Sequence, residues 1–80
     1  MYATMTARTM ARLLVEKHGF AHAVQKAHAR RMRYNKMTER AAHVANAPER
    51  RALRFKYSER AVWWKCIESV IVGVYGGNAR

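Results

Sequence analysis

The segment from residue 48 to residue 75 constrains the fold more than any other part of the chain. Its apolar residues recur every three or four positions, as they do along one face of a helix: Leu53, Tyr57, Ala61, Trp64, Ile67, Ile71 and Val74. Other apolar side chains extend this face almost around the helix: Trp63, Cys66, Val70, Val62 and Val72. A helix that is apolar on nearly all sides is usually buried or paired with a partner, so the segment predicts a central helix in a small all-α protein.

Capping and breaking residues indicate the limits of this helix. Asn46 stands three residues before Glu49, as in a capping box, and Pro48 suits a first helical turn. The helix is therefore expected to start near residue 47. Residues 70–75 are rich in β-branched side chains and contain Gly73, so that helix and a short extended tail are both open there. We expect helix to about residue 72 and a tail over residues 73–80.

The preceding part of the chain predicts two further helices. Thr4 or Thr6 can cap a helix over about residues 5–18, and Gly19 suits its end. An apolar and alanine-rich pattern then predicts a second helix over residues 20–45, which a break near residues 35–38 could interrupt at Asn35 and Thr38. Because short connections favour antiparallel neighbours, we expect residues 1–80 to form one helical domain, a small three- to four-helix bundle.

The charge balance is strongly basic, with 16 Lys and Arg against 5 Asp and Glu and a formal net charge of +11. Such an excess attracts polyanions, including nucleic acid and acidic protein surfaces. The chain is also short, and a domain of this size buries only about 60% of its unfolded surface, which favours oligomerisation or a partner that completes the core. Charge and size together indicate a protein that acts by binding.

Basic residues line up along the predicted second helix. Lys26, Arg33 and Arg40 are seven residues apart and therefore share one side of a helix. A line of cations can contact successive phosphates and release counterions. With the start of the third helix included, the predicted site for nucleic acid or an acidic partner comprises Lys26, Arg30, Arg33, Lys36, Arg40, Arg50, Arg51 and Arg54. The alternative is an ordinary solvated helix face.

Three further residues are candidate anchors for a partner. Tyr57 and Trp63 belong to the aromatic residue types that dominate interfaces. Arg60 falls on the apolar stripe of the third helix, so it is expected to pair with an acid such as Glu39 or Glu49, or to lie under a partner. The aromatic residues near these basic residues are expected in the core, or stacked on bases if they are exposed: Tyr34, Phe55 and Tyr57.

The sequence lacks the patterns that support catalysis or metal binding. The single cysteine, Cys66, lies in an apolar run, allows no internal disulfide and is predicted to be a buried small hydrophobe. The four histidines and five acidic residues form no ligand or catalytic cluster, and no glycine-rich phosphate loop is present. A helix-turn-helix around Gly19 would place His18 and Gln25 at positions that generally take small or apolar residues. We therefore expect a non-enzymatic protein without metal or cofactor.

The sequence also bears on location. Nothing near Met1 resembles a signal peptide, and residues 61–75 are too few, and too charged at Lys65 and Glu68, to cross a bilayer easily. We therefore expect a cytoplasmic protein and no membrane partner.

The chain resembles the small helical proteins encoded by phages and mobile elements. The resemblance rests on the Leu-Leu-Val-Glu-Lys-His-Gly sequence of residues 13–19, the alanine-rich second helix and the tryptophan-bearing third helix. It covers most of the length and includes no specific motif. It implies a host-takeover or counter-defence role in the host cytoplasm, as a stoichiometric inhibitor in the manner of anti-CRISPR proteins or as a binder of polymerase.

The leading functional hypothesis is a small basic binding protein that contacts nucleic acid or a nucleoprotein complex through its Arg- and Lys-rich helical face. The alternative is a phage-type inhibitor that docks on an acidic surface of a host protein. A homo-oligomeric interaction module, such as a homodimer, is a further alternative, and a protein that binds a membrane surface through residues 61–75 is a weaker one.

Overall fold

The computed structural model describes residues 6–76, which form three α-helices followed by a short π-helix. Helix α1 comprises Ala7–His18, α2 Phe20–Ala41 and α3 Ala47–Val70, and the π-helix comprises Ile71–Gly76. The prediction of an all-α protein is confirmed. Residues 1–5, which include the alternative cap Thr4, and the expected tail residues 77–80 lie outside the described part of the chain.

A single glycine connects α1 to α2. Thr6 caps α1 by accepting a hydrogen bond at its hydroxyl from the Thr9 N–H at 3.1 Å. Gly19 has φ of 81°, in the left-handed region that favours glycine, and its N–H donates to the Val15 carbonyl at 2.8 Å. The Gly19 carbonyl in turn accepts from the Ala23 N–H at 2.9 Å. Because one residue ends α1 and begins α2, the chain reverses with no intervening loop.

Helix α2 is continuous, so the break considered near residues 35–38 is wrong. The Thr38 hydroxyl donates to the Tyr34 carbonyl at 2.9 Å, which satisfies this poor helix former within the helix itself. The helix ends at Ala41, four residues before the expected limit, and a turn at residues 42–43 follows. Asn46 then begins α3 by accepting the Glu49 N–H at its side-chain oxygen, at 3.0 Å.

The carboxyl end of α3 differs from both alternatives that the sequence left open. The α-helix ends at Val70, and the β-branched segment that follows is wound as a π-helix to Gly76 instead of being extended. Ile71 is fully buried, and a side chain at Gly76 would begin only 3.2 Å from Cζ of Phe20. The π-helix therefore packs its buried side against the start of α2.

The core consists of small residues packed around a few large ones. Its buried members are Ala11, Ala23, Ala27, Ala41, Ala61, Trp64, Ile67 and Ile71. The alanines of α2 allow α3 to approach closely, and the α2–α3 contact is the most extensive between any two elements. Among residues 6–76, no helix has the length and apolarity needed to cross a membrane.

Helix α3 is not buried all round, which corrects the expectation for its apolar run. Phe55 is 66% exposed and Val62 is 59% exposed, and Val72 is 50% exposed. Cys66 is exposed as well, so its predicted burial is wrong. The physical reason is that α1, α2 and the π-helix cover only one side of α3, and the chain has no further described helix to cover the other.

Candidate polyanion-binding surface

The contact line between α2 and α3 divides the cations of the molecule into two sides. On α2 this line is marked by the buried Ala23, Ala27 and Ala41. Successive residues of an α-helix are turned by about 100°, so that Arg30 and Arg31 flank the line on opposite sides. We refer to the Arg30 side and the Arg31 side of the α2–α3 pair.

The Arg30 side carries a row of cations from both helices. Their helical positions place five residues of α2 and two of α3 here, and all seven are exposed. We call them the basic strip: Lys26, Arg30, Arg33, Lys36, Arg40, Lys56 and Arg60. Among the acidic residues of α2 and α3, Glu49 shares this side by helical position, seven residues before Lys56 at the end near the α2–α3 loop, and Glu59 lies at its outer edge, three residues after Lys56.

Aromatic rings between the helices hold several of these cations. The Arg30 guanidinium carbon lies 5.8 Å from the centre of the Trp64 ring, and that of Arg60 lies 5.9 Å from the Tyr34 ring. The two contacts lie next to each other along the helix pair. Arg30 is four residues before Tyr34 on α2, and Arg60 is four residues before Trp64 on α3. Each cation–π contact at such a site contributes roughly 0.5–1 kcal/mol.

The same row of rings continues towards Lys56. The Tyr34 and Tyr57 rings stack with centres 6.5 Å apart, and the Lys56 ammonium lies 5.9 Å from the Tyr57 ring centre. Trp64 is buried and both tyrosines are half-buried. These cations therefore lie over rings that are themselves packed between the helices, which leaves little of each ring for a base to stack on.

The structure differs from two expectations drawn from the sequence, those for Arg60 and Phe55. Arg60 is exposed, so the premise that it is buried on the apolar stripe is wrong, and the Tyr34 ring lies beside its guanidinium. Phe55 was expected in the core or on bases, but its exposed ring lies on the side of α3 that points away from α2. Trp63 is half-buried and packs against the core.

The Arg31 side differs because Arg31 and His28 lie against a carboxylate of α3. Glu68 lies 3.4 Å from the Arg31 Nε and 3.5 Å from His28 Nδ1, and the Arg31 and Glu68 side chains are about three-quarters buried. Arg31 also lies 3.1 Å from His28 Nδ1 through its terminal nitrogen. The Glu68 carboxylate thus offsets positive charge on this side and links Arg31 and His28 of α2 to α3.

The basic residues at the start of α3 do not join the basic strip. Arg50 is half-buried and donates to the Val44 carbonyl at 3.0 Å, which fastens the α2–α3 loop. Ser58 lines an open cleft of about 310 Å³ on the Arg31 side. Arg54 and Arg51 come four and seven residues before Ser58, so they lie on the same side of α3. The eight residues selected from the sequence therefore lie on both sides, with the five from α2 together. Aligning α3 on its buried row Ala61, Trp64 and Ile67 would have selected Lys56 and Arg60 instead.

Positive charge extends from the basic strip to the α1–α2 junction. The pKa of His18 is lowered, first by desolvation of its half-buried ring and then by the positive charges of Lys26, Lys17 and His22. Lys26 is the first residue of the strip, so His18 reports on the field there. A positive field of this kind attracts anions and raises their rate of association.

Within residues 6–76, no three His, Cys, Asp or Glu side chains come together in a way that could hold a metal ion. The described part of the chain therefore offers a charged surface, with shallow clefts, as its most developed feature. No family model, curated protein or solved structure matches the chain at a significant level. The surface is accordingly interpreted from its own chemistry.

Proposed function

We propose that the protein is a non-enzymatic binding protein that contacts the phosphate backbone of nucleic acid, free or within a nucleoprotein complex, through the basic strip. The observation that carries this proposal is the row of seven exposed cations on the Arg30 side, three of which lie over aromatic rings of the helix pair.

The spacing of the strip supports contact with several phosphates. Lys26, Arg33 and Arg40 recur every seven residues of an unbroken helix, so they span about 21 Å at 1.5 Å per residue. A rigid row of this length can neutralise phosphates along one groove edge and release their counterions. Cations that are already held over rings lose less side-chain freedom on binding than free ones do.

The rings themselves favour a backbone reader over a base reader. Because Trp64, Tyr34 and Tyr57 pack between the helices, direct stacking on unpaired bases is not supported. The basic strip presents point charges and guanidinium groups, which bind phosphate without regard to sequence. We therefore expect similar affinities for duplexes of unrelated sequence.

The test is a salt series of fluorescence anisotropy titrations with labelled DNA and RNA duplexes. Arg30→Gln, Arg33→Gln and Arg40→Gln are combined in one variant, which should lower the magnitude of the slope of log K against log salt by about 2.7, at about 0.9 per lost phosphate contact. The matched control combines Arg51→Gln, Arg54→Gln and Lys65→Gln, which removes the same charge from exposed residues outside the strip.

Equal weakening by the two triple variants would mean that net charge alone drives binding and would overturn the strip as the site. A strong preference for one sequence would contradict backbone reading. Failure of the wild-type protein to bind any duplex at low salt would exclude the proposed function.

A further inference from the structure

The side of α3 that faces away from α1 and α2 carries a second ordered feature. Its residues are separated alternately by four and three positions, which is the spacing of the contact line in a coiled coil. We call this row the outer seam: Phe55, Glu59, Val62, Cys66 and Ser69. The seam extends over about 21 Å of continuous helix at 1.5 Å per residue.

The outer seam exposes apolar side chains beside a groove. Phe55 and Val62 are its large apolar members and are 66% and 59% exposed. Glu59 stands between them, and the smaller side chains of Cys66 and Ser69 follow Val62. Val62, Cys66 and the edge of half-buried Trp63 line an open groove of about 350 Å³, together with Ser58 and Glu59. Two exposed apolar side chains beside such a groove can receive apolar side chains of a second helix.

The charges beside the seam select its occupant. Arg51, Arg54 and Lys65 are exposed along one flank, and Glu59 is the single acid of the seam. Parallel packing of a second copy would bring Glu59 against its equivalent, and in either orientation two chains of net charge +11 would be brought together. Both arrangements are repulsive, whereas carboxylates on a facing helix would match the basic flank.

We propose that the outer seam of α3 is the docking surface for an acidic amphipathic helix of another protein. The seam and the basic strip lie on different sides of α3, so this proposal does not depend on nucleic-acid binding. A docking protein is also the second hypothesis from the sequence, and the proposed surface differs from the predicted one in its apolar contact, the outer seam, while it keeps Arg51 and Arg54 of the predicted basic set on its flank.

The experiment uses the full chain and a designed probe peptide of about three heptads, with leucine at the a and d positions and glutamate at most others. A second peptide has the same composition in scrambled order, so that its leucines share no face, and a third carries lysine in place of glutamate. Anisotropy of the labelled peptides gives affinity and stoichiometry, and the tryptophan emission of the protein reports burial near Trp63.

The acidic amphipathic peptide should bind with one-to-one stoichiometry and at least about tenfold more tightly than either comparison peptide. A tenfold ratio of dissociation constants is about 1.4 kcal/mol of binding free energy. Phe55→Ser combined with Val62→Ser should remove this preference. Met32→Ser is the matched control, because Met32 is 45% exposed on α2 and lies outside both surfaces. The double variant should keep the circular dichroism spectrum and the salt-dependent duplex binding of the wild type.

Equal binding of the scrambled acidic peptide would reduce the interaction to net charge and overturn the proposal, as would the absence of binding by the wild-type protein. A wild-type dimer in sedimentation that Phe55→Ser with Val62→Ser dissociates would show that a second copy occupies the seam, and the proposal would then be wrong. Loss of duplex binding alone, with peptide binding intact, would refute only the proposed function.

Discussion

The Arg30 side and the Arg31 side of the α2–α3 pair both carry arginine and lysine, but the cations are held in different ways. On the Arg30 side they lie over aromatic rings, which leave their charge exposed to solvent. On the Arg31 side, Glu68 takes up Arg31 and His28 in a half-buried cluster. The difference shows that the number of cations on a surface does not by itself define a polyanion site, because charge that is already matched inside the fold contributes little to attraction.

Removal of the carboxylate should make the two sides more alike. Glu68→Gln leaves Arg31 three-quarters buried without its ionic partner, so we expect the free energy of unfolding to fall by about 1–2 kcal/mol. The same change frees positive charge on the Arg31 side, and duplex affinity should rise a few-fold at low salt.

Chemical denaturation and anisotropy titration of the same preparation measure both effects. Glu16→Gln is the matched control, since it also removes one carboxylate but from an exposed pair with Arg12 whose side chains are 60% and 64% exposed. It should change the unfolding free energy by no more than about 0.5 kcal/mol. A larger loss in the control than in Glu68→Gln would show that Glu68 does not organise the Arg31 side.

Removal of a supporting ring should weaken the Arg30 side. Tyr34→Leu keeps an apolar side chain in the helix contact but deletes the ring that lies beside Arg60 and stacks on Tyr57. We expect duplex affinity to fall two- to fivefold, because the Arg60 side chain without the ring loses more freedom on binding, with the salt slope unchanged because no cation is lost.

Tyr34→Phe retains the ring and should bind like the wild type. Equal weakening in the phenylalanine variant would assign the effect to the tyrosine hydroxyl. A change of salt slope in Tyr34→Leu would indicate that Arg60 no longer reaches the duplex, and the ring would then position the cation instead of only supporting it.

His18 offers the smallest and most local test of the field at the end of the basic strip. Its pKa in the folded protein is lowered, so protonation is less favourable in the folded than in the unfolded chain. Above the ordinary value of about 6.5 the residue has no effect on stability, and its destabilising effect grows as the pH falls from there through the folded pKa. Because Lys26 contributes to the shift, bound nucleic acid should raise the pKa of His18.

Histidine ring resonances followed by NMR over a pH series measure this shift in the free and bound protein. Lys26→Gln should also raise the pKa of His18 in the free protein, while leaving its half-buried environment in place. If duplex binding moves the pKa of His43 and not that of His18, the nucleic acid contacts the loop end of the molecule and avoids the Lys26 end.

Local sequence determined the class of fold and most helix limits. Gly19 ends α1 because only a glycine adopts its φ of 81° without strain, and Asn46 caps α3 from its own side chain. These are interactions between residues close in the sequence, so the chain carries them whatever it packs against. The alignment of Lys26, Arg33 and Arg40 is equally local, since it depends only on the pitch of an unbroken helix.

Tertiary packing decided which residues of α3 are covered and what each cation contacts. The sequence could not distinguish the exposed Val62 and Cys66 from the buried Ile67, because all three are apolar and only the position of α1 and α2 selects one side of the helix. In the same way, Arg60 joins the basic strip and Arg54 does not, because the rotational orientation of α3 against α2 places them on opposite sides of the α2–α3 contact. Burial and the sharing of charge depend on residues distant in the chain, and these are set only when the helices pack.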